Sequence, residues 1–180
     1  SLNKRSMEKL SNLLSKFGAT FWTKNKYTFP LKMISSEMTV GIRYKAGVSA
    51  QLKSAVLLAG LNSYGNTIIE EQIISRDHTE NLLMKNTQDI KIIKKKKKII
   101  KVKGKSYLNP LNLNIGGDPS SAAFFTALTL LNKNSTLKIK KVGLNPTRTG
   151  FYEILKKQKV KINFKNIIKD NNEIRGDILI

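Results

Sequence analysis

Three stretches of the chain repeat one pattern of apolar residues at a fixed interval, and that repeat limits the fold more than any other feature. They are SMEKLSNLLSKFGATFWTKNKYTFPLKM, HTENLLMKNTQDIKIIKKKKKIIKVKG and GFYEILKKQKVKINFKNIIKDNNEIRGDILI. Each opens with apolar residues at i, i+3 and i+4 and continues as β-rich runs around a polar turn, so each reads as helix, strand, turn, strand. Leu10, Leu82 and Ile154 hold the same helical position, 72 residues apart each time. A second shared pattern lies between the copies: AQLKSAVLLAGLNSYGNTIIEE and AAFFTALTLLNKNSTLKIKK each give an apolar helix, a polar turn and a strand, with Thr67 and Thr136 at matching strand starts. The unit is α-β-α-β-β with a period of about 70 residues, and units of this kind bury a core by stacking on one another. The expected class is α/β, with units wrapped around a bundle of buried helices. The nearly all-apolar segment 52–61 suits the inside of such a bundle.

Helix starts are well marked. Asp118-Pro119 reads as an N-cap followed by proline at the first helical position, and Asn145-Pro146 reads the same way for the last helix. Asp77-His78-Thr79-Glu80 has capping-box spacing, with Asp in the place of Ser or Thr. His78 is most simply a residue of that first turn and, alone, a weak catalytic candidate.

Two strand-to-helix loops carry chemistry. In GVSAQLKSAVLLAGL (47–61) Ser49 stands at the mouth of the apolar helix. If it caps that helix, unpaired amides and the helix dipole make an anion site there, and the serine hydroxyl adds a donor. Ala50 allows close approach of a ligand, and Gln51 can both donate and accept. An ordinary capped core helix is the other reading. The second loop, Ser75-Arg76-Asp77-His78-Thr79, follows the strand TIIEEQII. Arg76 can grip a phosphate with a fork that lysine lacks, or it is a plain surface arginine. Ligands gather at such loops in α/β folds, and two of them can converge on one phosphate.

Charge and composition narrow the partners. The net charge is +21, from 33 basic and 12 acidic residues, but 28 of the basic residues are lysine and five are arginine. That lysine excess, with frequent Ile and Asn, matches an AT-rich coding bias; a nucleic-acid groove favours arginine and interleaved aromatics. A basic nucleic-acid-binding module is retained as an alternative of a different class, although no specific nucleic-acid partner is expected. The run KIIKKKKKIIKVKGK (91–105) reads as a basic patch or, better, as a β-hairpin with a lysine turn, since β-branched residues flank it. The chain has no cysteine and one histidine, which excludes disulfides and a thiolate site and argues against a protein-only zinc site. No apolar run has the length of a membrane span, and the first residues show no signal-peptide pattern, so no membrane partner is expected and the default compartment is cytoplasmic.

Five segments together resemble the 5-enolpyruvylshikimate-3-phosphate synthase family: SLNKR (1–5), SAQLKSAVLLAGL (49–61), SRDHTE (75–80), GDPSSAAFF (117–125) and VGLNPTRTG (142–150), in family order and spacing. The resemblance implies two similar lobes of βαβαββ units, each an inside-out barrel-like body with helices inside and sheets outside. Residues 1–116 would belong to the first lobe and 117–180 would start the second. It implies transfer of the carboxyvinyl group of phosphoenolpyruvate to the 5-hydroxyl of shikimate 3-phosphate, in aromatic amino-acid biosynthesis, with no cofactor and no metal. Carried over residue by residue, Ser49, Ala50, Gln51, Arg76 and, less firmly, Ser75 would bind shikimate 3-phosphate. Arg5 and Gln51 would contact phosphoenolpyruvate. Ser6 stands where the family motif has proline, so the backbone aiming Arg5 differs. GDPSS and NPTRT are given no substrate role, and no catalytic residue is assigned.

The family's lysine–serine–arginine and Asn-Ala-x-Thr segments, its proposed general-base aspartate, and its Lys-Glu-(Ser/Thr)-Asp-Arg and Asp-His-Arg motifs do not occur in these residues. The chain therefore reads as a central fragment of such a synthase, a monomer when full length, with no transferase activity expected of the 180 residues alone. The nearest alternative is the related enolpyruvyl transferase acting on UDP-N-acetylglucosamine; the pairing of Ser-Ala-Gln with Ser-Arg-Asp-His-Thr-Glu argues against it.

Overall fold

The computed structural model describes residues 2–23, 27–94 and 96–180. Ser1 of the SLNKR segment, residues 24–26 in the turn of the first repeat, and Lys95 in the lysine turn lie outside the described residues. The chain divides into two compact units, Ser1–Asn109 and Pro110–Ile180.

In the first unit a 3-10 turn, Leu2–Lys4, precedes helix α1, Glu8–Ser15, and an antiparallel pair follows, β1 Thr20–Thr23 and β2 Leu31–Ile34. Then come β3 Arg43–Ala46, α2 Ala50–Asn62, β4 Asn66–Glu71, α3 His78–Asn86, β5 Ile90–Lys94 and β6 Lys98–Lys103. The four strands form one sheet in the order β3-β4-β6-β5. β3 and β4 run parallel, with α2 as the crossover between them, while β6 is antiparallel to both of its neighbours. The short strand RYKA (β3) is absent from the pattern read directly in the residues; with it, the unit is the βαβαββ that the resemblance implied.

Alternation along the strands decides what meets α2. On β4 the residues Thr67, Ile69 and Glu71 are buried, and their partners on β6 are Val102, Ile100 and Lys98, also buried. The period of two thus carries an apolar face to the sheet edge and ends it on a glutamate opposite a lysine. Helix α2 lays Val56, Leu57 and Leu61 on this face. It packs closely because Gly60 faces Thr67: a Cβ on Gly60 would sit 2.9 Å from the Thr67 Cβ. The lysine-rich run forms the β5–β6 hairpin, with Ile92 opposite Ile100.

The second unit holds α4 Pro119–Leu131, β7 Lys138–Gly143, α5 Gly150–Lys157, β8 Asn163–Asp170 and β9 Glu173–Leu179. Its sheet order is β7-β9-β8, and a parallel bridge from Gly117 to Val142 stands where β3 pairs with β4 in the first unit. Val142, Leu144, Tyr152 and Ile178 form its core. Both pairings of β9 shift register, between Ile139 and Val142 and between Lys165 and Ile168. Lys141 and Asn166, within those shifts, adopt positive φ. Asp177 satisfies them, accepting from the Lys141 amide at 3.0 Å and Asn166 Nδ2 at 2.8 Å, with Lys138 Nζ 3.1 Å away. The bonds from Asn166 and Lys141 outweigh the effect of burial and, with Lys138, lower the Asp177 pKa to about 2.

Two expected helix starts differ. Asn145-Pro146 does not open a helix: Asn145 Oδ1 accepts from the amide and hydroxyl of Thr147 at 2.9 and 2.6 Å, a local turn, and α5 begins four residues past the proline with Thr149 as N-cap. Asp77 is the N-cap residue of α3, but its side chain makes no capping bond, and Glu80 does not close a capping box. Its carboxylate is used elsewhere.

Candidate functional site

Because β3 and β4 are parallel neighbours with Ala46 opposite Glu71, the loops that follow them leave the same edge of the sheet. Residues 47–49 lead into α2 and residues 72–77 lead into α3. The sequence candidates Ser49, Ala50, Gln51, Ser75 and Arg76 all stand on these two loops or in the first turn of α2.

Ser49 caps α2 with extended backbone (φ −84°, ψ 102°), and its Oγ accepts from the Leu52 amide at 3.4 Å, a long bond. The amides of Ala50 and Gln51 make no hydrogen bond among the described residues, and the first turn contains no acidic residue. Gln51 is exposed; Ser49 and Ala50 are half-buried. Arg76 is exposed, and no carboxylate pairs with it among the described residues. Two free amides, a hydroxyl, a carboxamide and an unpaired guanidinium are groups that favour an anion. Ser75 differs. It is buried, and both its amide and its hydroxyl donate to Glu71 Oε1, at 2.8 and 2.7 Å. Toward a ligand its oxygen can only accept. Arg5 follows the 3-10 turn and is exposed; no hydrogen bond or ion pair among the described residues ties it to either loop.

Beneath the loops lies a group of charges that the sequence reading missed. Lys53, Glu71, Glu80 and Lys98 have side chains 0, 0, 0 and 6% exposed. Lys53 Nζ lies 2.8 Å from Glu71 Oε1 and 2.7 Å from Glu80 Oε1; Lys98 Nζ lies 3.3 Å from Glu71 Oε2 and 3.0 Å from Glu80 Oε1. Burial by itself would raise the Glu71 pKa, but the bonds from Lys53 and Ser75 overcome it and hold the carboxyl at about 2. Burial would lower the Lys98 pKa, and the two glutamates raise it on balance. Two positive and two negative charges leave the cluster neutral, which is what allows charge in a core. Next to it, Ser54 Oγ, just past the first turn of α2, and Thr79 Oγ1, in the first turn of α3, share a 2.7 Å hydrogen bond. The available sequence signal was the alternation of β4 and β6, which carries Glu71 and Lys98 inward.

The start of α4 is built differently. The Asp118 carboxylate accepts from the Ser120 and Ser121 amides at 3.3 and 3.1 Å and from Ser121 Oγ at 3.0 Å. Arg148, from the NPTRT segment, pairs with Asp118 and donates to Ser120 Oγ at 2.8 Å. Burial by itself would raise the Asp118 pKa, but these hydrogen bonds and the Arg148 charge together lower it. This helix start already contains its anion. Among the described residues no group of three His, Cys, Asp or Glu side chains could hold a metal ion, and no helix is long and apolar enough to cross a membrane.

Known proteins resemble this chain in sequence and in fold. Residues 1–177 match the family model described as EPSP synthase (3-phosphoshikimate 1-carboxyvinyltransferase). A 3-phosphoshikimate 1-carboxyvinyltransferase of Sulfurihydrogenibium sp. is 39% identical over all of this chain, and one of Thermodesulfovibrio yellowstonii is 41% identical over 99% of it. The chain covers 42% and 41% of those proteins, so it spans about two fifths of the length of these relatives. The solved EPSP synthase of Acinetobacter baumannii superposes with a TM-score of 0.83 at 36% identity, over all of this chain and 40% of that one. The enolpyruvyl transferase NikO of Streptomyces tendae superposes with a TM-score of 0.70 at 14% identity, over 97% of this chain and 42% of that one, a likeness of fold.

Proposed function

Because the chain belongs to the EPSP synthase (3-phosphoshikimate 1-carboxyvinyltransferase) family, we propose that it serves the reaction for which its relatives are named, and that its own share is a binding site for shikimate 3-phosphate. In that reaction the 5-hydroxyl of shikimate 3-phosphate loses its proton and attaches to the enolpyruvyl carbon, the bond from that carbon to the phosphate oxygen breaks, and inorganic phosphate leaves. The observation that carries the reading is the pair of loops at one sheet edge, which sets the free amides of Ala50 and Gln51 beside the loop of the unpaired Arg76.

In this reading the 3-phosphate lies against the α2 N-terminus, held by the Ser49 hydroxyl, the Ala50 and Gln51 backbone amides and the Gln51 carboxamide, with Arg76 as the cation. Ala50 keeps the approach short. Ser75 acts through its oxygen or through the loop that it anchors. Gln51 and Arg5 are assigned to phosphoenolpyruvate on the family motif. The net charge of +21 attracts two such anionic substrates at low salt. The same reading assigns residues 1–116 to one lobe and 117–180 to the next, a cytoplasmic location and a monomeric whole protein.

Calorimetric titration of the chain with shikimate 3-phosphate tests the site. Gln51→Ala and Arg76→Ala should each weaken binding about tenfold, as loss of a hydrogen bond to a charged group does. UDP-N-acetylglucosamine should give no heat. Unchanged affinity in both variants overturns the assignment. An assay of phosphate release by the 180-residue polypeptide tests the separate expectation of binding without turnover.

A further inference from the structure

We propose that the buried Lys53–Glu71–Glu80–Lys98 quartet is a positioning device that holds the start of α2 and the β4–α3 loop in register, so that Ser49–Gln51 and Arg76 meet the same anion; the proposal rests on the reading of that site as a shikimate 3-phosphate site. Each member belongs to an element that borders the site. Lys53 is in the first turn of α2, two residues past Gln51. Glu71 ends β4 and takes both donors of Ser75, the residue before Arg76. Glu80 is the third residue of α3, four past Arg76. Lys98 opens β6 opposite Glu71 and closes the ring from the sheet side. The Ser54–Thr79 bond links the same two helix starts.

The second unit shows that the architecture does not need the charges. Its helix α4 has Ala122 where α2 has Lys53, each the fourth helical residue, and α5 has Tyr152 where α3 has Glu80, each the third. Gly143 ends β7 as Glu71 ends β4. Ala122 and Tyr152 are 5 and 0% exposed and pack in an apolar core. A buried ion cluster is seldom worth more than such a core for stability, and its geometry is far stricter. The strict arrangement lies under the helix start that has free amides and is missing under the one that already contains Asp118.

Glu71→Gln tests this. It keeps the side-chain shape and an acceptor for Ser75 but removes the charge that fixes the two lysines. Binding of shikimate 3-phosphate should weaken about tenfold, and in an Arg76→Ala background the same change should matter less than about twofold, because coupled groups are not additive. Exchange of the Ser75 amide should quicken while that of Ile100, in the centre of β6, stays slow, a difference that general destabilisation does not produce. Additive losses of affinity, or unchanged exchange at Ser75, overturn the proposal. If Glu71→Gln loses protection at Ile100 as well, Ser75→Ala decides by exchange alone: a faster Ser75-to-Ala amide supports the lock, and an unchanged one overturns it. If Gln51→Ala and Arg76→Ala leave wild-type binding intact, the function reading fails instead, and the exchange comparison still decides whether the quartet holds the loop.

Discussion

Helices α2 and α4 have 13 residues each, a polar N-cap and an almost wholly apolar body, yet the chain uses them in opposite ways. α2 buries a continuous apolar face: Val56, Leu57 and Leu61 have at most 3% of their surface exposed, while Leu58 on the outer side is 50% exposed. α4 buries Pro119, Ala122 and Thr126 but leaves Phe124 79% and Leu131 84% exposed. Their starts are opposite too. Ser49 gives α2 one long capping bond and no charge; Asp118 gives α4 two amide bonds, a hydroxyl bond and an arginine partner. Apolar content and a cap therefore identify a helix without saying what its N-terminus does. What does say it is whether the donors there are already satisfied from within the protein, and whether the ground beneath is apolar or ionic.

The largest expected effect lies in that ground. Lys53→Met removes one cation from a buried cluster and strands a glutamate; it should cost about 3–5 kcal/mol in denaturant unfolding of the first unit. Tyr152→Phe, at the place in the second unit that Glu80 holds in the first, gives up one 2.9 Å bond to the Pro119 carbonyl and should cost about 1 kcal/mol. Equal losses would erase the contrast between the two cores. Acid sharpens it. Glu71 is lowered from 4.5 to about 2, so its contribution to stability is complete above pH 4.5 and is lost as pH falls toward 2. Asp177 is lowered from 3.8 to about 2, so its contribution is complete above pH 3.8 and is lost over a window that opens lower. Amide signals followed on acidification should therefore report loosening around Ile69 and Ile100 before Ile178.

Much of this was legible in the residues. The 72-residue spacing of Leu10, Leu82 and Ile154 located three helix–strand–strand copies, because helical and strand periodicities are local signals. The caps at Ser49 and Asp118 were legible for the same reason. Strand β3 was not: four residues, RYKA, form a strand only because β4 lies alongside, and that pairing is remote in sequence. The quartet was hidden likewise. Lys53 and Glu71, and Glu80 and Lys98, are each 18 residues apart, and nothing local brings them together. Glu80 has the spacing of a capping-box residue from Asp77, but two buried lysines bind its carboxylate more strongly than one neutral backbone amide could.

A smaller effect separates the helix bodies. Leu57 is fully buried on α2, and Leu57→Ala should cost about 2–5 kcal/mol, depending on how far the cavity collapses. Leu128 on α4 is 61% exposed, and Leu128→Ala should stay within about 0.5 kcal/mol in the same chain. Thermal unfolding of the two variants measures the difference. A large loss at Leu128 would mean that the α4 face is covered in solution, which would undo this half of the comparison.

The smallest effects are at the caps, and there the order reverses. Asp118→Ala removes three hydrogen bonds and the partner of Arg148 and should cost about 1–2 kcal/mol. Ser49→Ala removes one 3.4 Å bond and should cost about 0.5 kcal/mol, the low end for a cap. Shikimate 3-phosphate separates them further. At a hundredfold excess over its Kd a ligand stabilises the fold by about 2.7 kcal/mol, so it should raise the unfolding midpoint of wild-type chain and of Asp118→Ala alike. In Ser49→Ala the gain should shrink, because the hydroxyl removed is one of the phosphate's own donors. A stable but unresponsive Ser49→Ala protein would place the function of α2 in the donors that its cap leaves unused; an equal response in all three would leave Ser49 an ordinary cap and transfer the binding to Arg76.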